Sequence, residues 1–185
     1  MNNILTIFKK EMKSYFSSPV AYIVLAVFLG ITGWFFTSNL FLGGVVTMRN
    51  VFDIIPFIYL FFIPAITMRT FAEEKKSGTI ELLLTKPVTD LEIVLGKFLA
   101  ALSLTAIALL LTWTYVISLS FIGKLDFGAV TGAYLGLLLM AGIYISIGIF
   151  ASSLTHNQVV AFIISFLIVF ALFMLNKVLI FLPSG

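Results

Sequence analysis

The chain has 185 residues, of which 61% are hydrophobic and 10% charged, with a formal net charge of +3 and a mean hydropathy of +1.18. Soluble domains carry about 25% charged residues, so this composition excludes a water-exposed globular surface and describes an integral membrane protein. Cysteine is absent, which rules out disulfides and thiolate metal sites, and the small positive balance reflects loop bias rather than a nucleic-acid-binding face.

Nothing at the N-terminus resembles a cleaved signal, because a polar stretch through Ser18 precedes the first long apolar run. Within residues 1–19, Ile4, Leu5, Ile7, Phe8, Met12, Tyr15 and Phe16 fall on one face at helical spacing. Thr6, Lys9, Lys10, Lys13 and Ser17 fall on the other. That pattern predicts an interfacial amphipathic helix with its lysines toward headgroups and water. Glu11 breaks it by falling within the apolar face. Two outcomes are open: the side chain snorkels outward, or it pairs with a basic residue of a neighbouring loop or subunit.

Runs near twenty apolar residues are long enough to cross the hydrocarbon as helices, and five are predicted. They are residues 20–42, 52–71, 98–122, 128–150 and 159–182. The first opens just after Pro19, a residue tolerated in a first helical turn. The second contains Pro56 and Pro64, which should kink it or loosen its hydrogen-bond ladder. The fourth carries Gly128, Gly132 and Gly136, with Gly142 and Gly148 further on, a stripe that most often allows close helix packing and whose alternative reading is a substrate-lining face. The turns at 123–127 and 151–158 are short. The expected fold is therefore all-α, a polytopic helical membrane protein forming one transmembrane domain over residues 1–185.

Orientation follows from Lys and Arg in short loops. Residues 1–19, 69–97 and 151–158 hold three, five and zero, whereas the opposite side holds only Arg49, Lys124 and Lys177. The N-terminus and the 69–97 stretch are therefore expected on the cytosolic side.

That stretch is a dense polar island. It contains Arg69, Lys75, Lys76, Lys86 and Lys97 against Glu73, Glu74, Glu81, Asp90 and Glu92, so its net charge is zero. Gripping lipid by charge takes a basic cluster, whereas mixed charge suits docking on a protein surface. Gly78 can supply a turn that other residues resist. Residues 79–85 then read as about two helical turns stopped by Pro87, and Thr89-Asp-Leu-Glu92 has capping-box spacing that predicts a fresh helix from Asp90. Exposed leucines at 82–84 need a cover, either the chain's own bundle or a partner.

The order Glu73-Glu74-Lys75-Lys76-Ser77-Gly78-Thr79-Ile80-Glu81-Leu82-Leu83-Leu84, then Thr85-Lys86-Pro87-Val88, then Glu92-Ile93-Val94-Leu95-Gly96-Lys97, resembles the first cytoplasmic loop of type-2 ABC exporter permeases. The turn Ser152-Ser153-Leu154-Thr155-His156-Asn157-Gln158 is similar to a second family feature. Within the family the chain is most similar to the permeases associated with gliding motility and with nitrous oxide reductase maturation. The resemblance implies that residues 1–19 are a connecting helix and that residues 72–97 are a coupling loop. It implies that Glu74, Gly78, Thr79, Glu81, Leu82, Leu83 and Pro87 meet a cytosolic ABC ATPase subunit. It further implies a second permease copy or paralogue beside this one, a bacterial inner-membrane location, and ATP and Mg held by the partner subunit, with no cofactor in this chain. Family members have six spans where five are predicted here, so the chain is expected to be a fragment lacking the sixth.

Gly96-Lys97 and Gly123-Lys124 lack the upstream glycine and following hydroxyl of a phosphate-binding loop, so ATP hydrolysis is not expected from this chain. His156 is the only histidine and is read as a solvated loop side chain. The spans hold no acidic residue deeper than Asp53, near the outer end of the second. Ion-coupled carriers usually need such groups near the midplane, so the engine is expected elsewhere. The leading reading is the permease subunit of an ATP-driven export complex. The alternative is a non-transporting membrane scaffold that recruits a soluble cytosolic partner.

Overall fold

The computed structural model describes residues 2–43, 47–79, 88–123 and 125–181. Among these there are only helices. In chain order they are α1 (Asn2–Ser17), α2 (Pro19–Gly43), α3 (Arg49–Thr67), α4 (Ala72–Lys76), α5 (Asp90–Leu111), α6 (Trp113–Ser120), α7 (Phe127–Ser153) and α8 (Gln158–Phe181). Five stretches are long and apolar enough to cross a membrane: Pro19–Phe41, Arg49–Lys76, Asp90–Ser120, Phe127–Ser153 and Gln158–Leu175.

Helix α3 is the axis of the bundle and packs against α2, α5, α7 and α8. The second spanning stretch is 56% buried, against 28% for the first and 22% for the last. The flanking helices α2 and α8 thus leave large apolar faces outward, where hydrocarbon can cover them. Val51, Ile55, Tyr59, Leu60 and Ile63 of α3 are fully enclosed, together with Phe28 of α2, Leu104 of α5 and Ile145 of α7. Three threonine hydroxyls inside this apolar core are satisfied one turn back along their own helices, whereas the buried Tyr59 and Ser165 hydroxyls have no hydrogen-bond partner among the described residues. Thr32 donates to the Phe28 carbonyl at 2.8 Å, Thr67 to Ile63 at 2.8 Å and Thr105 to Ala101 at 3.0 Å.

Pro56 and Pro64 both lie within α3. The helix continues past them, and the Met68 N–H closes onto the Pro64 carbonyl at 2.9 Å. The third span is continuous except at Thr112. There the hydroxyl bonds the Leu109 carbonyl at 2.6 Å and the Tyr134 hydroxyl of α7 at 2.8 Å, tightening one turn and separating α5 from α6.

The glycine stripe behaves differently from its expected role. A Cβ at Gly132 or Gly136 would meet nothing within 4 Å, and at Gly128 only the capping Asp126 carboxylate at 3.2 Å. Those three turn away from the rest of the described chain, and close packing is confined to the later glycines. Gly142 faces Phe98, and Gly148 lies against Thr67, whose Oγ1 would sit 2.0 Å from an added Cβ. The reason is rotational: α7 meets α3 and α5 along the edge marked by Leu137, Ala141, Tyr144, Ile145 and Gly148, and the early glycines lie off that edge.

Candidate functional site

All the elements that frame the polar island meet at one end of the bundle. Helix α1 is amphipathic much as its spacing predicts: Lys9, Lys10 and Lys13 are exposed and Ile4, Ile7, Phe8 and Met12 are partly covered, but Leu5 of the predicted apolar face is exposed. Its apolar face lies along α5. Gly96 of α5 makes that approach close, since an added Cβ would stand 2.6 Å from Ile7 Cγ2 and 3.2 Å from the Ile4 carbonyl. Further along α1, the Tyr15 hydroxyl donates to the Ile66 carbonyl of α3 at 3.1 Å.

At the other border of the island, α3 breaks after Thr67 and the chain turns into α4. Buried Ser152, at the end of α7, holds this break. Its Oγ accepts from the N–H groups of Phe71 and Ala72, each at 3.0 Å, and donates to the Met68 carbonyl at 3.0 Å. These are the backbone groups that a helix interruption leaves without internal partners. The Lys75 ammonium donates to the Ser153 carbonyl. Arg69 pairs with Glu73 through two contacts of 2.8 and 3.1 Å and reaches Ser18 Oγ at 3.1 Å.

Where the third span begins, the capping box forms as its spacing predicts. Thr89 Oγ1 accepts from the Glu92 N–H at 3.4 Å, and the Glu92 carboxylate accepts from the Thr89 N–H at 3.0 Å. The Asn3 side-chain amide donates to both Glu92 oxygens at 3.3 and 3.2 Å.

At the centre is Lys97. Its side chain is 1% exposed, and its Nζ lies 2.9 Å from Glu11 Oε1 of α1, 2.6 Å from the Thr70 carbonyl and 3.0 Å from Glu74 Oε2 of α4. The last is an ion-pair contact whose angles fall outside hydrogen-bond geometry. The Phe71 ring adds a cation–π contact at 5.0 Å. Lys10 closes the group from the surface, 2.8 Å from Glu74 Oε1 and 3.6 Å from Glu11 Oε1. Two ammonium groups therefore balance two carboxylates. Glu11 points inward rather than toward headgroups, and Glu74 is likewise committed to this internal cluster. Gly78 takes φ +71°, the left-handed conformation that glycine adopts without a side-chain penalty. Thr79 is exposed beyond it, with Oγ1 2.9 Å from Ser77 Oγ. Glu81, Leu82, Leu83 and Pro87 lie outside the described residues, so the predicted short helix over 79–85 is not described here.

The surface member of the cluster has a defined pH limit. Burial alone would lower the Lys10 pKa, but the hydrogen bond and charge of Glu74 outweigh it and hold the ammonium above its ordinary 10.5. The Lys10 contribution is therefore complete below pH 10.5 and fades as pH rises through the raised folded value. Apparent melting temperature in detergent should fall on the alkaline side of this limit, and Lys10→Gln should remove that share of the alkaline limb. An alkaline limb identical in the variant would contradict the assignment.

Lys97 and Ser152, like Lys10, Thr70 and Phe71 of this site, were not singled out as site residues by sequence reasoning. Lys97 stood in plain view as half of the Gly-Lys pair ending the family-like loop pattern, and Ser152 opened the second such feature. What was missing was any local sign of the partners, which lie 86 and about 80 residues away along the chain.

Residues 9–182 match the family model described as ABC-2 family transporter protein. No curated protein and no solved structure matches the chain. The match takes in all five spanning helices, the island and most of α1, from the lysine that opens its polar face to the last turn of α8. The chain belongs to the ABC-2 transporter family.

Proposed function

We propose that this chain is the membrane-spanning permease subunit of an ATP-driven export complex, with its N-terminus and residues 72–97 on the cytosolic side of a bacterial inner membrane. Membership of the ABC-2 family implies partnership with an ABC ATPase. In this reading the ATPase, holding ATP and Mg, docks on the segment that leaves Gly78 and returns at Pro87. Thr79, Glu81, Leu82 and Leu83 form the contact, and Glu74 secures the base. A second permease copy or paralogue completes the membrane unit. The resemblance of the 73–97 pattern favours the branch associated with gliding motility and nitrous oxide reductase maturation.

The observation that carries the reading is the family match across the island together with the way the island's borders are tied. Helix α5 is fixed to α1 by the buried Lys97–Glu11 pair and to α4 by the Lys97–Glu74 contact, and the half-exposed Lys10 links α4 to α1 through Glu74, so a push on the loop between α4 and α5 is transmitted to the second and third spans at once. A loosely held loop would absorb it.

Co-expression with an ABC ATPase encoded beside this chain, followed by copurification, tests the reading. Gly78→Val puts a β-branched residue at φ +71°, a strain of about 1–3 kcal/mol, and Glu81→Lys reverses a charge on the proposed contact. Each should lower ATPase retention by about tenfold or more, the equivalent of about 1.4 kcal/mol, while membrane insertion stays normal. Full retention and transport in both variants would refute docking through this segment.

A further inference from the structure

We infer that Lys97 is the positioning residue of the docking loop: its single ammonium, through charge rather than bulk, sets the loop's two anchors relative to one another and to α1. The inference rests on the docking reading above for its functional consequence, and on geometry alone for its structural one.

Among the described residues Lys97 is the only fully buried Lys or Arg. An ammonium carries three protons, and Lys97 faces three oxygens from three different segments: Glu11 of α1, Thr70 at the α3–α4 turn and Glu74 of α4. The described residues before the loop end at Thr79, just beyond α4, and those after it begin at Val88, just before α5, the helix that carries Lys97. The contact with Glu74 therefore joins the outgoing strand of chain directly to the incoming one. The contact with Glu11 fastens both to α1. Gly96 completes the device by letting α1 come close enough for Glu11 to reach. Thus the Gly-Lys pair acts as one unit, the first residue supplying proximity and the second the charge.

Charge decides here because of what remains when it is removed. Glu11 and Glu74 each have side chains only 12% exposed. Without Lys97 they are left facing one another with Lys10 alone, itself more than half exposed. Taking one partner from a buried ion pair leaves an uncompensated charge, the costly case, whereas removing a matched pair is often close to neutral. The distinguishing prediction is therefore that a second, oppositely signed deletion repairs the first.

The test uses the full chain, which lacks cysteine, with spin labels on Lys13→Cys in α1 and Lys76→Cys at the loop's base, both exposed and outside the cluster. Wild type should give one narrow distance distribution. Lys97→Met, similar in length and uncharged, should broaden it and lower retention of the co-expressed ATPase by about tenfold. Adding Glu11→Gln to Lys97→Met restores charge balance between Lys10 and Glu74, and should recover the narrow distribution and most of the retention. A packing role would instead make the double variant at least as poor as the single one, and that result overturns the inference, as does an unchanged distribution in Lys97→Met. Should Lys97→Met fail to accumulate as folded protein, recovery of folded protein by the double variant supports the inference and failure of both overturns it. The distance measurement needs no ATPase. A wild-type chain that shows the narrow distribution but retains no ATPase would therefore sink the docking reading while leaving the positioning role intact.

Discussion

Replacing Gly148 by alanine should destabilise the bundle more than any other single methyl group added to it. Gly148 sits where α7 crosses α3, and an added Cβ would stand 2.0 Å from Thr67 Oγ1 and 2.7 Å from Thr67 Cβ. Carbon atoms prefer about 3.5–4.0 Å, so the seam would have to open by about 1 Å. Thr67 cannot simply swing aside. It is fully buried, β-branched and therefore stiff at χ1, and its hydroxyl is already bonded to the Ile63 carbonyl. Its Cβ can move only with the backbone of α3, the helix on which the rest of the bundle is packed. Overpacking of this kind costs about 1–3 kcal/mol and occasionally more, and this site belongs at the upper end. Thermal unfolding in detergent should show a clear loss for Gly148→Ala. The exchange variant Gly148→Ala with Thr67→Gly moves the side chain to the other helix and should regain much of it. Unfolding of Gly148→Ala at the wild-type temperature would mean that the α3–α7 seam is not closed as described.

Gly96→Val should have a comparable local effect with a different outcome. The nearest atoms to its added Cβ are Ile7 Cγ2 at 2.6 Å, Ile7 Cβ at 2.8 Å and the Ile4 carbonyl at 3.2 Å, all on α1. This helix lies at the edge of the fold and keeps an exposed lysine face. It can move outward as a unit, which the α3–α7 seam cannot do. The spans should therefore remain assembled while α1 lifts from α5, and the 2.9 Å Glu11–Lys97 pair should part. Overpacking by a branched side chain sets the scale at about 1–3 kcal/mol, spent on local detachment rather than global unfolding. Hydrogen exchange should show faster exchange across α1 with near-normal protection in α3, α5 and α7. Equal acceleration throughout would show that α1 is integral to bundle stability, and no acceleration would show that the contact is absent. Under the docking reading, the same variant should retain the ATPase poorly despite its intact spans.

The residues that decide these outcomes show which information was local. Five apolar runs, the lysine face of α1, the capping box at Thr89 and the turn at Gly78 were all legible, because each depends on a short stretch of chain and its immediate surroundings. Helical periodicity, hydrocarbon thickness and φ preferences act within a few residues. Membership of the ABC-2 family was legible in the ordered pattern of the 73–97 stretch for a related reason, since that pattern is a contiguous run of residue types. What could not be read was how the helices are rotated against one another. That rotation turned Gly132 and Gly136 away from the chain while pressing Gly148 against Thr67, although all three look alike in sequence. It brought Ser152 under the backbone of Phe71 and Ala72. It also left both readings of Glu11 open until α1 was placed along α5, where burial beside Lys97 makes the inward rotamer the one with a partner. Local chemistry determined the elements and the end of the bundle where charge collects. Only tertiary packing decided which charges meet, because a buried ion pair depends on atomic separations that no interval along the chain specifies.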